Sequence, residues 1–92
     1  MDYYVYILYS ERLGLYYKGY TSYPILRLEE HNQGQSRYTS GKGPWRMVYL
    51  EKVSDKKSAL IREKQIKRAN HNYLQWLIAS DLNIVSEFIA SE

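Results

Sequence analysis

The chain has 92 residues, a formal net charge of +3 at pH 7 and no cysteine. This length fits a single domain, and the absence of cysteine excludes disulfides, thiolate zinc sites and a thiol nucleophile. Because no apolar run is long enough to span a bilayer and the first residues lack the layout of a signal peptide, we expect a soluble cytoplasmic protein with no membrane partner.

Positive charge is concentrated in the middle of the chain. Residues 34–73 hold ten Lys or Arg against three acids, a net of +7, whereas residues 1–33 carry −1 and residues 74–92 carry −3. Such a stretch can form a patch that binds a polyanion, of which nucleic acid is the commonest, or it can be a basic helix that is merely solvated.

The first part of the chain predicts a β-hairpin that is rich in tyrosine. Residues 3–21 contain seven of the eleven tyrosines. Residues 3–9 and 15–20 alternate with period two and are rich in β-branched and aromatic side chains, which is typical of strands. The turn chemistry of residues 10–14 joins these strands as an antiparallel pair.

Two tyrosines of this hairpin are predicted to face each other. If Tyr9 pairs with Gly14, then Tyr6 lies opposite Tyr17, and both phenols share one face of the sheet. Lys18 alternates to the other face. The pair can be ordinary cross-strand packing, or it can belong to a chemical site.

A short helix should follow the hairpin. Pro24 suits the first turn of a helix and Gly34 suits its C-terminal stop, which predicts a helix over residues 24–33. Arg27 and His31 are four residues apart and therefore project from the same face. They can hold a phosphate, or they can be a solvated arginine and a histidine that favours the helix dipole.

A glycine-rich loop and a third strand come next. The loop covers residues 34–44 and the strand residues 46–53. Cations in and beside this loop can bind phosphates, while its rings can stack on bases or fold back onto the sheet. These side chains are Arg37, Tyr38, Lys42, Trp45 and Arg46.

Two further helices complete the predicted elements. A basic helix capped by Ser54 or Asp55 runs to about residue 69, and a short helix covers residues 71–80. Its inward residues are Leu74, Leu77 and Ile78. The order ββαβαα, with its first strand pair antiparallel, predicts a small α+β fold.

Glu63 interrupts the apolar stripe of the basic helix. The stripe contains Ala59, Leu60 and Ile66, and Glu63 falls between them at helical spacing. An inward carboxylate must be paired, hydrogen-bonded or bound to a cation to avoid a large desolvation cost. A buried ion pair, for instance with Arg27, and a metal ligand are both open at this point.

These residues resemble those of the GIY-YIG endonucleases, and the small single-domain bacterial members are the nearest likeness. The first signature corresponds to residues 4–6 (YVY) and the second to residues 17–19 (YKG). The likeness continues through residues 27–32 (RLEEHN), 37–49 (RYTSGKGPWRMVY) and 59–68 (ALIREKQIKR). Each motif is weak alone, but five in this order are specific.

The resemblance implies a three-stranded antiparallel sheet flanked by helices, and metal-dependent hydrolysis of DNA phosphodiesters. The nuclease-like domain would cover residues 1–80, with residues 81–92 as a C-terminal tail or short helix. One Mg²⁺ or Mn²⁺ would bind at Glu63. The catalytic residues that the resemblance implies are Tyr6, Tyr17, Arg27, His31 and Glu63.

The chain departs from the family pattern at two points. Tyr4 replaces the first signature glycine, and Lys18 replaces the isoleucine of the second signature. Family members also tend to have an asparagine about a dozen residues after the glutamate, but here Asn70 and Asn72 come earlier and Asn83 later. No asparagine is assigned that role.

A mechanism follows as a hypothesis. Tyr6 or Tyr17 activates water as a phenolate, Arg27 stabilises the pentavalent phosphate, and His31 orients water or helps with proton transfer. The DNA backbone would be held, largely without regard to sequence, by Arg37, Lys42, Arg46 and Lys67. Specificity would come from DNA structure or from a targeting protein partner. The alternatives are a non-catalytic nucleic-acid binding module and a protein-interaction adaptor.

Overall fold

The computed structural model describes residues 2–91 of the chain. Its strands are β1 (Tyr3–Ser10), β2 (Leu15–Thr21) and β3 (Arg46–Val53), and its helices are α1 (Pro24–Asn32), α2 (Lys56–Lys67), α3 (His71–Ala79) and α4 (Val85–Ala90). The predicted order ββαβαα is confirmed for the first six elements, and α4 follows them.

The three strands form one antiparallel sheet in the order β2-β1-β3. This confirms the predicted α+β fold. Strand β1 occupies the centre because it is apolar on both faces: Val5, Ile7 and Leu8 are fully buried. Strand β2 is an edge strand, so its side chains can reach solvent past the rim of the sheet.

The predicted position of the hairpin turn is wrong: the observed turn lies one residue further along the chain. Ser10 pairs with Leu15, whereas the sequence had suggested that Tyr9 pairs with Gly14. The Gly14 amide donates to the Ser10 carbonyl at 2.7 Å, and Gly14 has a φ of +66°. The positive φ of this glycine ends the turn and lets strand β1 extend one residue further than the side-chain alternation indicated.

The new register keeps both signature tyrosines on the same face. Tyr6 lies opposite Gly19, and Leu8 lies opposite Tyr17. The predicted direct pairing of Tyr6 with Tyr17 is therefore wrong. Because the register moved by two residues and side chains alternate with period two, their shared face is retained, with the two phenols on a diagonal.

Gly19 makes room for the Tyr6 phenol. A Cβ atom on Gly19 would come 2.7 Å from Cζ of Tyr6 and 2.5 Å from its oxygen. These separations are well inside van der Waals contact, and the Tyr6 ring is fully buried and cannot move aside easily.

Gly19→Ala should therefore destabilise the protein by about 1–3 kcal/mol, the usual cost of overpacking a core. Urea denaturation of the variant would measure this cost. In a Tyr6→Leu background, which removes the clashing atoms, the same substitution should cost clearly less. An equal cost in both backgrounds would show that Gly19 matters for another reason.

The helices cover both faces of the sheet. Helices α2 and α3 pack on the face that carries Val5 and Ile7, and helices α1 and α4 pack on the face that carries Tyr6 and Leu8. Phe88 of α4 contacts Tyr4 edge to face, with ring centroids 5.2 Å apart. The α1 face is thus the one that holds the signature tyrosines.

The helix ends follow local rules. Helix α1 ends at Asn32, and Gly34, which has a φ of +78°, follows the C-cap residue Gln33 and stops the helix as predicted. Asp55 caps α2: its carboxylate accepts from the Ser58 amide at 2.7 Å. Helix α2 ends at Lys67, short of the predicted residue 69.

One part of the predicted apolar stripe of α2 is wrong. Leu60 is 37% exposed, whereas Ala59 and Ile66 are fully buried. A residue that directly follows another on a helix is turned about 100° around the axis, and this rotation takes Leu60 away from the sheet. Glu63 stays on the buried line, with a side chain that is only 13% exposed.

Candidate active site

Three buried side chains from β1, α1 and the following loop form a hydrogen-bonded chain. The Tyr6 oxygen lies 2.9 Å from Nε2 of His31, and Nδ1 of His31 lies 2.7 Å from Oγ1 of Thr39. The Thr39 hydroxyl donates to the Ser36 carbonyl at 3.4 Å. Its oxygen therefore accepts from Nδ1–H, which leaves Nε2 as the acceptor for the Tyr6 hydroxyl.

Burial favours the neutral form of both ring groups of this chain. It raises the pKa of Tyr6 from 10.0 to about 12, with smaller increases from Tyr17 and Glu63 and an opposing effect of Arg27. It also lowers the pKa of His31 from 6.5 to about 4, to which the positive charge of Arg27 adds. Tyr6 is therefore a hydrogen-bond donor that holds its proton tightly.

The depressed pKa of His31 predicts a loss of stability in acid. The unfolded chain takes up a proton at His31 near pH 6.5, whereas the folded chain resists protonation down to about pH 4. The stabilisation is complete above pH 6.5 and declines as the pH falls towards 4, by up to about 3 kcal/mol. Denaturant titrations across this range should show a smaller decline in His31→Gln than in the wild type.

His71→Gln is the matched control, because His71 is exposed on α3. It should follow the wild-type decline. If His31→Gln and His71→Gln lost stability equally across this pH range, the acid sensitivity would belong to other groups.

The ring of Tyr17 lies against this chain. Its centroid is 5.0 Å from that of His31 and 6.5 Å from that of Tyr6. Tyr38 stacks on it at 5.6 Å with an interplanar angle of 29°, and Trp45 meets it edge on at 6.4 Å. Tyr17 is half-buried on the edge strand, so it remains in contact with solvent.

Arg27 of α1 interacts with the Tyr6 phenol and with Glu30. Its Nη1 forms an ion pair with Oε1 of Glu30 at 3.1 Å, one turn along the helix. Burial lowers the pKa of Arg27, but Glu30 and the Tyr6 phenol more than offset this effect, and the pKa is raised. The Arg27 side chain is 31% exposed, so it can be reached by a ligand from solvent.

Glu63 belongs to α2, which packs on the other face of the sheet. Its carboxylate forms an ion pair with Nζ of Lys67 at 3.4 Å, and not with Arg27, one of the pairings that the sequence left open. Lys67 is 53% exposed, so the ion pair opens to solvent and the lysine can swing away. The negative charge of Glu63 makes a small contribution to the raised pKa of Tyr6, so Glu63 is within electrostatic reach of that phenol.

Lys18 projects from the face of β2 opposite Tyr17, as the alternation predicts. Burial lowers the pKa of Lys18, and the nearby ammonium of Lys67 lowers it further. Because Lys67 contacts Glu63, Lys18 lies on the α2 side of the site and adds positive charge there.

Residues 2–91 contain no group of three or more His, Asp or Glu side chains that could hold a metal ion together. Mg²⁺ commonly binds to one or two carboxylates and completes its shell with water and phosphate oxygens. A single carboxylate whose counter-ion is a half-exposed lysine fits this mode of binding. Glu63 is thus chemically suited to hold one divalent ion against a bound phosphate.

The basic residues proposed for DNA binding lie in different settings. Arg37 is exposed, and Arg46 is 64% exposed and forms an ion pair with Glu11 at 3.2 Å. Nζ of Lys42 lies 3.8 Å from the centroid of the Tyr38 ring. The structure thus places Lys42 over Tyr38 and Lys67 against Glu63, whereas Arg46 is held at the hairpin turn.

Sequence reasoning missed the residues that hold the loop in place. Thr39 fixes His31 by a hydrogen bond to its ring. The Asn32 side chain accepts a hydrogen bond from the backbone amide of Trp45 at 2.6 Å and donates one to the backbone carbonyl of Trp45 at 3.1 Å. Trp45 is 3% exposed and folds back onto the sheet, one of the two possibilities for the loop rings. No periodic pattern marks such contacts.

Asn83 has a structural position. Its side chain accepts from the Leu50 amide at 3.1 Å and donates to the carbonyls of Val48 and Ile78, both at 2.9 Å. These bonds tie the segment before α4 to strand β3. They engage both the oxygen and the nitrogen of the side-chain amide, so an asparagine at this position is explained without a role in catalysis.

This geometry defines a small α+β domain in which Tyr6, Tyr17, Arg27 and His31 meet on one face of a three-stranded sheet, and in which the charge of Glu63 on α2 acts on Tyr6. Residues 2–75 match the family model of the GIY-YIG catalytic domain, and the chain belongs to the GIY-YIG family. The resemblance that the sequence motifs indicated is confirmed, and with it the assignment to a nuclease family.

Relatives agree with this assignment. The UPF0213 protein CPE1444 from Clostridium perfringens is 40% identical over 78 residues, which cover 84% of this chain and 83% of that protein. The UPF0213 protein NP_0776A from Natronomonas pharaonis is 35% identical over 81 residues, covering 87% and 94%. The solution NMR structure of the UPF0213 protein BH0048 from Bacillus halodurans has 31% identity and a TM-score of 0.56, covering 89% of this chain and 87% of that one.

Within residues 2–91, no helix combines the length and the apolar character needed to cross a membrane.

Proposed function

We propose that this protein is a metal-dependent endonuclease that hydrolyses phosphodiester bonds in DNA. The observation that carries the proposal is the meeting of Tyr6, Tyr17, His31 and Arg27 at one site, with Glu63 near enough to influence Tyr6. These are the side chains that the family resemblance implies, and they come from four different elements, β1, β2, α1 and α2.

Of the two tyrosines, Tyr17 is the better base. Tyr6 is 1% exposed, donates its proton to His31 and has a pKa of about 12, so it is poorly suited to take a proton from water. Tyr17 is half-buried and borders solvent. In the proposed step, the Tyr17 phenolate accepts a proton from water while the water oxygen bonds to phosphorus and the bond to the leaving oxygen breaks.

His31 acts through Tyr6 in this proposal. Both of its ring nitrogens are engaged, one by Tyr6 and the other by Thr39, and the ring is 1% exposed. Water therefore cannot reach it easily, and the sequence-based hypothesis that His31 orients the reacting water is replaced by a supporting role. Its place is to fix Tyr6 and to pack against Tyr17.

Arg27 and Glu63 supply the electrostatics. The exposed side of the Arg27 guanidinium can donate charge-assisted hydrogen bonds to the phosphate oxygens as negative charge builds on them. Glu63 would hold one Mg²⁺ or Mn²⁺, whose charge, when bound, favours departure of the leaving oxygen. Lys67 must release Glu63 for this, and its exposed ammonium is then free to hold the DNA backbone.

DNA binding would rest on phosphate contacts made by Arg37, Lys42, Arg46 and Lys67. Such binding is largely indifferent to sequence and weakens steeply with salt. We propose that specificity comes from the shape of the DNA or from a protein partner that brings the nuclease to its target.

The test is a nicking assay on supercoiled plasmid with Mg²⁺, with Mn²⁺ and with EDTA, beside polarisation measurements of binding to a labelled duplex. The proposal predicts nicking that needs the metal and binding that does not. Binding without nicking in either metal would support a non-catalytic nucleic-acid module. If the protein neither nicks nor binds DNA, the result would support a protein-interaction adaptor.

A further inference from the structure

The Tyr17 ring is enclosed by four other rings, and one of them differs from the rest. Tyr6, His31 and Trp45 are at most 3% exposed and belong to the core, whereas Tyr38 is 57% exposed. Tyr38 lies on the loop between α1 and β3 and stacks on Tyr17 at 5.6 Å. The exposed Tyr38 therefore closes the enclosure on its outer side.

Two contacts hold the Tyr38 ring, although the residue is 57% exposed. The ring stacks on Tyr17. The ammonium of Lys42 lies over the Tyr38 ring, 3.8 Å from its centroid. Cations above aromatic rings are attracted by the ring quadrupole, so Lys42 stabilises Tyr38 in this position. Base stacking, one of the roles that the sequence suggested for the loop rings, would require the ring to leave Tyr17 or to lose Lys42.

The backbone beside Tyr38 is held on the α1 side. Thr39 is fully buried, with its hydroxyl on His31, and its carbonyl accepts from Nε1 of Trp45 at 3.1 Å. The residue next to Tyr38 is thus fixed to the same histidine that packs on Tyr17.

The hairpin turn holds the loop from the other side. Arg12 donates to the carbonyls of Gly41 and Gly43 at 2.8 and 2.9 Å, and the Ser10 hydroxyl donates to the carbonyl of Lys42 at 2.6 Å. An exposed side chain on an anchored loop keeps its place far better than one on a free loop, so the stack on Tyr17 is built into the fold.

We propose that Tyr38 is a positioning residue, which by stacking on Tyr17 fixes the plane of the Tyr17 ring and so the direction of its phenol oxygen. This inference rests on the proposed function, in which Tyr17 activates water. A displacement of about 1 Å at a reacting group can cost about 100-fold in rate. Tyr17 stands on an edge strand, and without Tyr38 one face of its ring would meet only water.

The experiment compares Tyr38→Ala, Tyr38→Phe and the wild type in single-turnover nicking at saturating DNA, with DNA affinity measured separately. Tyr38→Ala should nick about 10–100-fold more slowly, with an unchanged dissociation constant for DNA. Tyr38→Phe keeps the stacked ring and should restore the rate. Tyr73→Ala is the matched control, because Tyr73 is an exposed tyrosine stacked on Trp76, and it should nick like the wild type.

Several results would overturn the inference. If Tyr38→Ala nicks at the wild-type rate, Tyr38 has no positioning role. If it binds DNA weakly but nicks normally at saturation, Tyr38 is a DNA contact. If Tyr38→Phe is as slow as Tyr38→Ala, the hydroxyl and not the stack matters. Failure of the wild type to nick would reject the proposed function itself, and this inference with it.

Discussion

Glu63→Gln should reduce metal-dependent nicking at least about 100-fold, because charge stabilisation by a bound divalent ion is worth several kcal/mol in the transition state. Glutamine keeps the size of the side chain and can still accept a hydrogen bond from Lys67, so the fold should be preserved. DNA binding in EDTA should stay near the wild-type level. Nicking rates over a range of Mn²⁺ concentrations, with binding measured in parallel, would check this.

Glu87→Gln is the matched control for Glu63→Gln. Glu87 is an exposed residue of α4 and should be replaceable without loss of rate. A Glu63→Gln protein that remains folded and nicks within about tenfold of the wild type would contradict the metal-binding role, since tenfold corresponds to little more than 1 kcal/mol.

Tyr17→Phe should lower the nicking rate by about 100- to 10,000-fold, the usual contribution of a general base. The substitution removes one oxygen and keeps the ring that His31 and Tyr38 contact, so the thermal unfolding temperature should change little. Single-turnover nicking at saturating DNA would measure the effect on the chemical step.

Tyr6→Phe provides the comparison. Loss of the Tyr6 hydroxyl leaves Nε2 of the buried His31 without its partner and should cost about 1–3 kcal/mol of unfolding free energy. Its effect on nicking should be smaller than that of Tyr17→Phe. If Tyr6→Phe instead stopped nicking while Tyr17→Phe remained active, the roles of the two tyrosines would be reversed.

The elements of this fold could be predicted from sequence because their signals are local. Strand β3 was predicted over residues 46–53, and the structure has it there. Asp55 and Gly34 mark helix ends through hydrogen bonding and a positive φ, which depend on neighbouring residues only. The shared face of Tyr6 and Tyr17 also followed, since it depends on the period of the strand and not on the exact pairing.

What could not be predicted depends on the conformation of one turn and on contacts between distant residues. The hairpin register depends on the φ of Gly14, and Leu60 is exposed because of where α2 lies relative to the sheet. The partner of Glu63 and the use of Thr39 to fix His31 come from the packing of the loop and helices together. No spacing in the sequence specifies these contacts.

In the candidate active site, too, some features could be predicted from sequence and others could not. The sequence indicated which types of side chain would meet, but it left open which tyrosine is the base; we propose Tyr17 because Tyr6 is buried, whereas Tyr17 borders solvent. The loop was expected to contact nucleic acid, yet its Trp45 is buried in the core and its Tyr38 covers Tyr17. The loop therefore shapes the site as well as bordering it.

The proposed function depends on Glu63 binding one divalent ion in the candidate active site that contains Tyr17 and Arg27. Anomalous diffraction from crystals soaked in Mn²⁺ would test it most directly. The account predicts a single strong peak at about 2.1 Å from a Glu63 carboxylate oxygen, on the side that faces the tyrosines, with Lys67 displaced. A Glu63 that keeps its ion pair with Lys67 while manganese binds elsewhere, or nowhere, would contradict it.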